Sequence, residues 1–105
     1  MPTLKKFPNL QDIQKYVSEL EKERGFTSET IIQKCLLLGE EIGELFKAIR
    51  KLEKIKTDNN SKINSVENEL ADILIYLCTI ANKLNIDLEN ALRNKEEINK
   101  KRIWL

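Results

Sequence analysis

The fold is constrained most by two helical stretches that carry carboxylates within their apolar stripes. They are LLLGEEIGELFKAI, residues 36–49, and NELADILIYL, residues 68–77. Each residue of a helix advances about 100° around the axis, so Glu41 shares one face with Glu44, and Glu69 shares one with Asp72. Glu41 and Glu69 fall within the apolar sectors of their helices. A carboxylate turned toward a core without a partner costs several kcal/mol, so two such pairs need compensation, and a divalent cation would supply it.

Length and charge narrow the class of protein. A chain of 105 residues allows a single domain with one modest core. Its 18 basic and 17 acidic residues almost cancel, so no global field favours a nucleic acid or an anionic membrane as partner. The sequence shows no basic-then-apolar leader and no apolar run of membrane-spanning length. The interpretation is a cytoplasmic protein that has neither a nucleic-acid nor a membrane partner.

The cysteines and the absence of histidine limit the chemistry. Cys35 and Cys78 each lie in an apolar helical run with no second Cys or His nearby, so both are expected to be buried, reduced thiols. The chain has no histidine, which removes Ser–His and Cys–His nucleophiles and imidazole metal ligands. Oxygen ligands remain, and they favour Mg²⁺, with Mn²⁺ as a substitute.

Four periodic segments separated by three turns predict an all-α protein, an antiparallel four-helix bundle that forms one domain over residues 1–105. The expected helices cover residues 10–24, about 28–55, from 61–65 to about 84, and 88 to about 102. An extended arm, residues 1–8, precedes them, and an apolar tail, residues 103–105, follows. Asn9, Thr27 or Ser28, and Asp87 are the expected caps, whereas Gly25, the polar run TDNNS at 57–61, and Asn85 mark the turns.

Two segments, Cys35–Leu38 and Ile73–Ile80, are apolar almost all the way round. Such a helix must be covered on every side, and three neighbours in a chain of this length hardly suffice. The pattern therefore predicts a homo-oligomer, a dimer or a tetramer, joined through the second and third helices. The alternative is a single, tightly wrapped bundle.

The acidic residues also carry a resemblance to a known family. Glu40-Glu41-x-x-Glu44 followed by Glu69-x-x-Asp72 resembles the EExxE…ExxD signature of the MazG-like nucleoside triphosphate pyrophosphohydrolases, the all-α NTP pyrophosphatases. The runs GEEIGEL, ELADILIYL, NIDLENAL and NKEEINKKR are similar to that family in the same order. The likeness is strongest to the single-domain branch that includes dCTP pyrophosphatase.

This resemblance implies Mg²⁺-dependent cleavage of a (d)NTP between the α and β phosphates, which gives a monophosphate and pyrophosphate. It implies four metal ligands, Glu41, Glu44, Glu69 and Asp72. It also implies that Glu40 either supports these ligands from behind or acts as the base that orients the attacking water. It further implies contacts to the substrate phosphates from Lys95, Asn99 and Arg102. These three residues share one face of the fourth helix, at i, i+4 and i+7, so they can act together.

Other readings remain open. The tryptophans that sandwich the base in the dCTP pyrophosphatase branch have no counterpart here, since the only Trp is Trp104. The base is therefore undefined, and related all-α hydrolases act on dUTP or phosphoribosyl-ATP. A catalytically silent helical module that binds partner proteins is the alternative from another class. A nucleic-acid binder that uses Lys100, Lys101 and Arg102 is disfavoured by the neutral net charge.

Overall fold

The computed structural model of the protein describes residues 1–55 and 65–103. Within them it contains no strand and four α-helices: α1 Leu10–Arg24, α2 Ile31–Leu52, α3 Val66–Lys83 and α4 Leu88–Lys100. The all-α, four-helix prediction is confirmed. The turn predicted at 57–61 and most of the apolar tail, Trp104 and Leu105, lie outside the described residues. Of the helices described, none has the length and apolar character needed to cross a membrane.

Short polar side chains start the helices. Asp87 caps α4 as predicted, and Asn9 caps α1, where its side chain accepts a hydrogen bond from the backbone N–H of Asp12 at 2.8 Å. The predicted cap of α2, Thr27 or Ser28, is wrong, because the helix begins after Thr30. The Thr30 hydroxyl accepts from the Gln33 N–H at 3.1 Å, and the Gln33 side chain accepts from the Thr30 N–H at 2.7 Å. This reciprocal capping box satisfies two N–H groups that would otherwise lack partners.

Left-handed residues end three of the four helices. Gly25 and Asn85, with φ of 74° and 56°, confirm the predicted stops of α1 and α3. The expected continuation of α2 to Ile55 is wrong by three residues, since Lys54 adopts a φ of 59°. This conformation lets the Ile55 N–H donate to the Arg50 carbonyl at 2.8 Å, which satisfies an end carbonyl and closes the helix. α4 also ends two residues before the predicted limit.

α3 is the central helix, since α1 and α2 both pack against it, whereas α4 packs against α1. The buried apolar core consists of Val17, Leu20, Ala48, Cys78 and Ala81. A buried glutamine of α1, Gln14, holds the turn before α4. Its amide nitrogen donates to Asn82 Oδ1 and to the Ile86 carbonyl, and its Oε1 accepts from the Leu88 N–H at 2.7 Å. α4 is thus fixed through its first turn, and none of its residues is fully buried.

The segments predicted to need cover are partly exposed in the single chain. The side chains of Leu36 and Leu77 expose 70% and 43% of their surface, and Cys35 is exposed as well. The prediction that Cys35 is buried is wrong for this chain, because the neighbouring Lys34 takes the inward position of that turn. Cys78 is buried as predicted.

Candidate metal centre and adjoining pocket

Three carboxylates from two packed helices form an acidic cluster. Glu41 lies on α2, and Glu69 and Asp72 lie on α3. One carboxylate oxygen from each residue can be chosen so that all three lie within 4.8 Å of one another. The i, i+3 spacing places Glu69 and Asp72 on one face of α3, and the packing of α2 on α3 brings Glu41 opposite them. The structure therefore unites three of the four predicted metal ligands.

Glu69 gives the strongest indication that the cluster binds a ligand. It is 1% exposed, and neither of its carboxylate oxygens has a hydrogen-bond partner in the described part of the chain. A buried carboxylate that lacks donors pays the full cost of desolvation. A hard divalent cation would meet this need, since it prefers oxygen ligands and the cluster offers three carboxylates. The donor set therefore fits a divalent metal ion.

The pKa of Glu41 reflects the close approach of these carboxylates. Burial, the facing Glu69, and the charges of Asp72 and Glu40 raise the pKa of Glu41 from its ordinary 4.5 to about 7. Two ionised carboxylates cannot donate to each other, so a hydrogen bond between Glu41 and Glu69 exists only when one of them carries a proton. With both groups ionised, the oxygens of Glu69 have no donor among the residues described. A cation would replace that proton and hold all three groups ionised.

Glu44 and Glu40 lie at the margin of the cluster. The structure does not bring Glu44 into the three-carboxylate group, and its Oε1 lies 3.5 Å from Lys47 Nζ in an i, i+3 ion pair. Glu40 is exposed, one position before Glu41, and its charge contributes to the raised pKa of that residue. The predicted roles of Glu44 as a ligand and of Glu40 as a water-orienting base stay predictions.

The predicted phosphate contacts occupy a different part of the chain. Lys95 and Asn99 lie on α4, and Arg102 follows its end, whereas the acidic cluster lies between α2 and α3. Among the described residues α4 packs mainly against α1, whereas the carboxylates lie on α2 and α3. Asn99 donates to Glu96 Oε1 at 3.2 Å, and its own Oδ1 is buried without a partner among the described residues. The role of these three residues also stays a prediction.

A cavity of about 200 Å³ adjoins the cluster. Asp72 belongs both to the cluster and to the cavity lining, so the two share a wall. The cavity is lined by Val17, Leu20, Glu21, Arg24, Phe26, Glu29, Lys34, Asp72, Ile75, Tyr76 and Thr79. Burial raises the pKa of Tyr76, and the charges of Glu41 and Glu29 raise it further, so this phenol stays protonated. Mixed apolar and polar walls of this kind are typical of small-molecule sites.

Sequence reasoning missed an ion pair in this cavity. Lys34 Nζ of α2 lies 2.6 Å from Glu21 Oε2 of α1, and the two side chains are 4% and 13% exposed. A signal was present, because Lys34 interrupts the apolar repeat of Ile31 and Leu38 at helical spacing. Its partner could not be read from the pattern, since Glu21 lies on another helix.

Comparison with known proteins agrees with this geometry. Residues 26–103 match the MazG nucleotide pyrophosphohydrolase domain family. A dATP/dGTP diphosphohydrolase of Salmonella phage PMBT28 is 33% identical over 95 residues, which cover 90% of this chain and 28% of that protein. Human dCTP pyrophosphatase 1 is 32% identical over 104 residues, which cover 90% of this chain and 59% of that protein. The chain thus spans less than two thirds of the length of these two relatives.

Solved structures show the same fold. YPJD from Bacillus subtilis superposes with a TM-score of 0.81 at 25% identity, over 94% of this chain and 100% of that one. iMazG from Vibrio DAT 722 superposes with a TM-score of 0.64 at 30% identity, over 89% and 99% of the two chains. The family match covers most of the chain and includes every carboxylate of the acidic cluster. The chain therefore belongs to the MazG family of nucleotide pyrophosphohydrolase domains.

Proposed function

We propose that the protein is a Mg²⁺-dependent nucleotide pyrophosphohydrolase that cleaves a (d)NTP between the α and β phosphates. The products are the nucleoside monophosphate and pyrophosphate. The observation that carries the proposal is the buried Glu69, which has no hydrogen-bond partner among the described residues and lies within a cluster of three carboxylates, in a chain of the MazG family. We further propose that the substrates are surplus or noncanonical dNTPs. The named activities of the phage and human relatives, on dATP and dGTP or on dCTP, support a deoxynucleotide substrate.

Glu41, Glu69 and Asp72 would hold the metal ion, and Glu44 would join them after its side chain leaves Lys47. Mg²⁺ suits this set, Mn²⁺ can replace it, and either ion supplies charge neutralisation at phosphoryl oxygens and an acidified water. The carboxylates must be ionised to bind it, which makes the raised pKa of Glu41 a cost that the ion offsets.

The remaining chemistry belongs to protein side chains. Glu40, exposed beside the cluster, is proposed to orient the attacking water and accept its proton. The cavity that shares Asp72 with the cluster is proposed to receive the nucleoside. This arrangement would place the base between apolar walls and the α phosphate at the carboxylates.

Lys95, Asn99 and Arg102 are proposed to bind the substrate phosphates from a second copy of the chain. The exposed apolar side chains of α2 and α3 support such a homo-oligomer, since Leu36 and Leu77 lack cover in one chain. A mixture of two inactive variants tests this arrangement. Asp72→Asn and Lys95→Ala chains, inactive or weak alone, should regain activity together, because mixed oligomers contain one site with both residues intact. If the mixture regains no activity after the subunits have exchanged, α4 does not contribute to the site of the partner subunit.

Pyrophosphate release from the four canonical dNTPs, dUTP and dITP, with and without Mg²⁺, tests the proposed activity. Asp72→Asn should lower kcat by about 10² or more, because transition-state stabilisation is lost. Glu97→Gln, a change in an exposed ion pair of α4, is the matched control and should retain full activity. Full activity of Asp72→Asn with Mg²⁺ present would refute the ligand assignment.

The position of cleavage has its own assay. Hydrolysis in ¹⁸O-labelled water should place the label on the monophosphate, because the proposal has water attack the α phosphorus. Label on pyrophosphate would mean attack at the β phosphorus, and release of diphosphate with orthophosphate would contradict the reaction type.

A further inference from the structure

The ion pair of Lys34 and Glu21 is unusually well buried for charged side chains. Its two atoms lie 2.6 Å apart, and the lysine side chain exposes only 4% of its surface. A buried pair gains Coulomb energy but loses hydration of both charges, and apolar replacements of such pairs are often as stable or more stable. Stability alone therefore gives no reason for this pair.

The position of the pair suggests a role in binding. Lys34 and Glu21 line the cavity of about 200 Å³ that Asp72 shares with the acidic cluster. Apolar side chains form much of the remaining wall, among them Val17 and Phe26. A small-molecule site of this type takes its orientation and specificity from the few polar groups in its lining.

The pair keeps hydrogen-bonding capacity for a ligand. An ammonium group has three donors, and within the described residues Lys34 has one acceptor, Glu21 Oε2. A carboxylate offers about four acceptor positions, and this bond uses one of them. The pair thus presents a charged donor beside a charged acceptor, and its complement is a ligand edge with an acceptor beside a donor. The Watson–Crick edge of each common nucleobase has a hydrogen-bond donor next to an acceptor.

We infer that the Lys34–Glu21 pair contacts the edge of the nucleobase and sets the preference between amino and oxo bases. The inference rests on the proposed function and names residues that determine its specificity. In an amino base the exocyclic group donates and the adjacent ring nitrogen accepts, whereas in an oxo base the exocyclic group accepts and the ring N–H donates. dCTP and dUTP differ in this way, as do dATP and dITP, with almost no change in size.

The order of charges in the wall decides which base fits. For a base held in one orientation, exchange of its donor and acceptor leaves the ammonium facing an N–H group and the carboxylate facing a lone pair. A buried polar group left without its partner is costly, and sites built on hydrogen bonds reject such analogues strongly. We expect kcat/KM to differ by about 10-fold or more within each matched pair, in the same sense for both pairs.

Exchange of the two charges gives the sharpest test. The double variant Glu21→Lys/Lys34→Glu should reverse the preference, so that the base type favoured by the wild type becomes the disfavoured one. A second double variant, Glu21→Leu/Lys34→Met, keeps the test valid should the exchange fail to fold, because apolar replacement of a buried pair is usually tolerated. In that variant the ratio of kcat/KM within each pair should fall well below that of the wild type, because a wall without polar groups cannot distinguish a donor from an acceptor.

Two further measurements separate specificity from folding and from the proposed function. The Mg²⁺-induced rise in melting temperature should be equal in the wild type and both variants, since the three carboxylates of the acidic cluster are unchanged. Exchange of the exposed pair, Glu97→Lys/Lys100→Glu, should leave all ratios unchanged. If the wild type hydrolyses nucleotides and the apolar variant keeps the wild-type ratios, this inference alone is overturned. If the wild type hydrolyses none of the four nucleotides, the proposed function fails and the inference fails with it.

Discussion

Replacement of Glu41 by Gln should stabilise the metal-free protein, although it removes a proposed catalytic residue. The rise of the Glu41 pKa from 4.5 to about 7 corresponds to about 3 kcal/mol of unfavourable free energy for the ionised form. Glu41 is only partly buried, and solvent screening reduces this value to about 1–2 kcal/mol. The new amide can also donate a hydrogen bond to Glu69, whose oxygens have no donor in the part of the chain that the structure describes.

Thermal unfolding at pH 8 in excess chelator measures this gain. For a chain of this size, about 1–2 kcal/mol raises the melting temperature by about 5–10 °C. At pH 5 the advantage should largely disappear, because Glu41 itself is then protonated in the folded state. With saturating Mg²⁺ at pH 8, the wild type should melt above the Glu41→Gln variant, since the ion binds only the folded wild-type cluster.

The control is Glu97→Gln, which also removes one carboxylate but lies in an exposed pair with Lys100. Its melting temperature should stay within about 2 °C of the wild type under all three conditions. A metal-free Glu41→Gln variant that melts below the wild type at pH 8 would refute the electrostatic reasoning, because the carboxylate would then contribute net stability without an ion.

Three further outcomes are expected. Relative to Glu41→Gln, the free energy of unfolding of the metal-free wild type should be highest below about pH 4.5 and fall as the pH rises to about 7, because Glu41 binds its proton more tightly in the folded state; a constant difference in this window, measured by urea unfolding, would argue against the raised pKa. Gln14→Ala should cost about 1–3 kcal/mol in the same assay, since it leaves the part-buried partners of Gln14 in the turn before α4 unsatisfied, whereas Gln11→Ala on the exposed face should cost less than about 1 kcal/mol; equal costs would contradict the role given to Gln14. Light scattering at micromolar protein concentration should give at least twice the chain mass of 12.3 kDa, and Leu36→Glu should weaken this assembly. A monomeric wild type would contradict the predicted oligomer.

Local physics explains why much of the fold could be read from the sequence. Helix periodicity, the cap at Asn9 and the left-handed positions Gly25 and Asn85 depend on residues within a few positions of one another. The errors arose where two local solutions compete. Thr30 displaces Thr27 and Ser28 as the cap because Gln33 completes its capping box, and at the end of α2 a lysine adopts a conformation more typical of glycine.

The acidic cluster was predictable in part for the same reason. The i, i+3 spacing of Glu69 and Asp72 and the place of Glu41 in an apolar stripe follow from the sequence of each helix alone. The exclusion of Glu44 does not, because it depends on where the packed helices place each side chain, and Glu44 instead forms an ion pair with Lys47. Spacing restricts which residues share a face but not which rotamer each adopts.

Sequence alone therefore determined four helices, their approximate limits and the carboxylates that two of them carry, since these depend on spacing along the chain. Tertiary structure decided which helices meet. Among the described residues, the packing of α2 on α3 leaves Glu69 without donors, and the packing of α1 on α3 forms the cavity beside Asp72, whereas α4 packs mainly on α1. The partnership of Lys34 with Glu21 arises in the same way, because contacts between helices depend on side-chain packing that no single segment encodes.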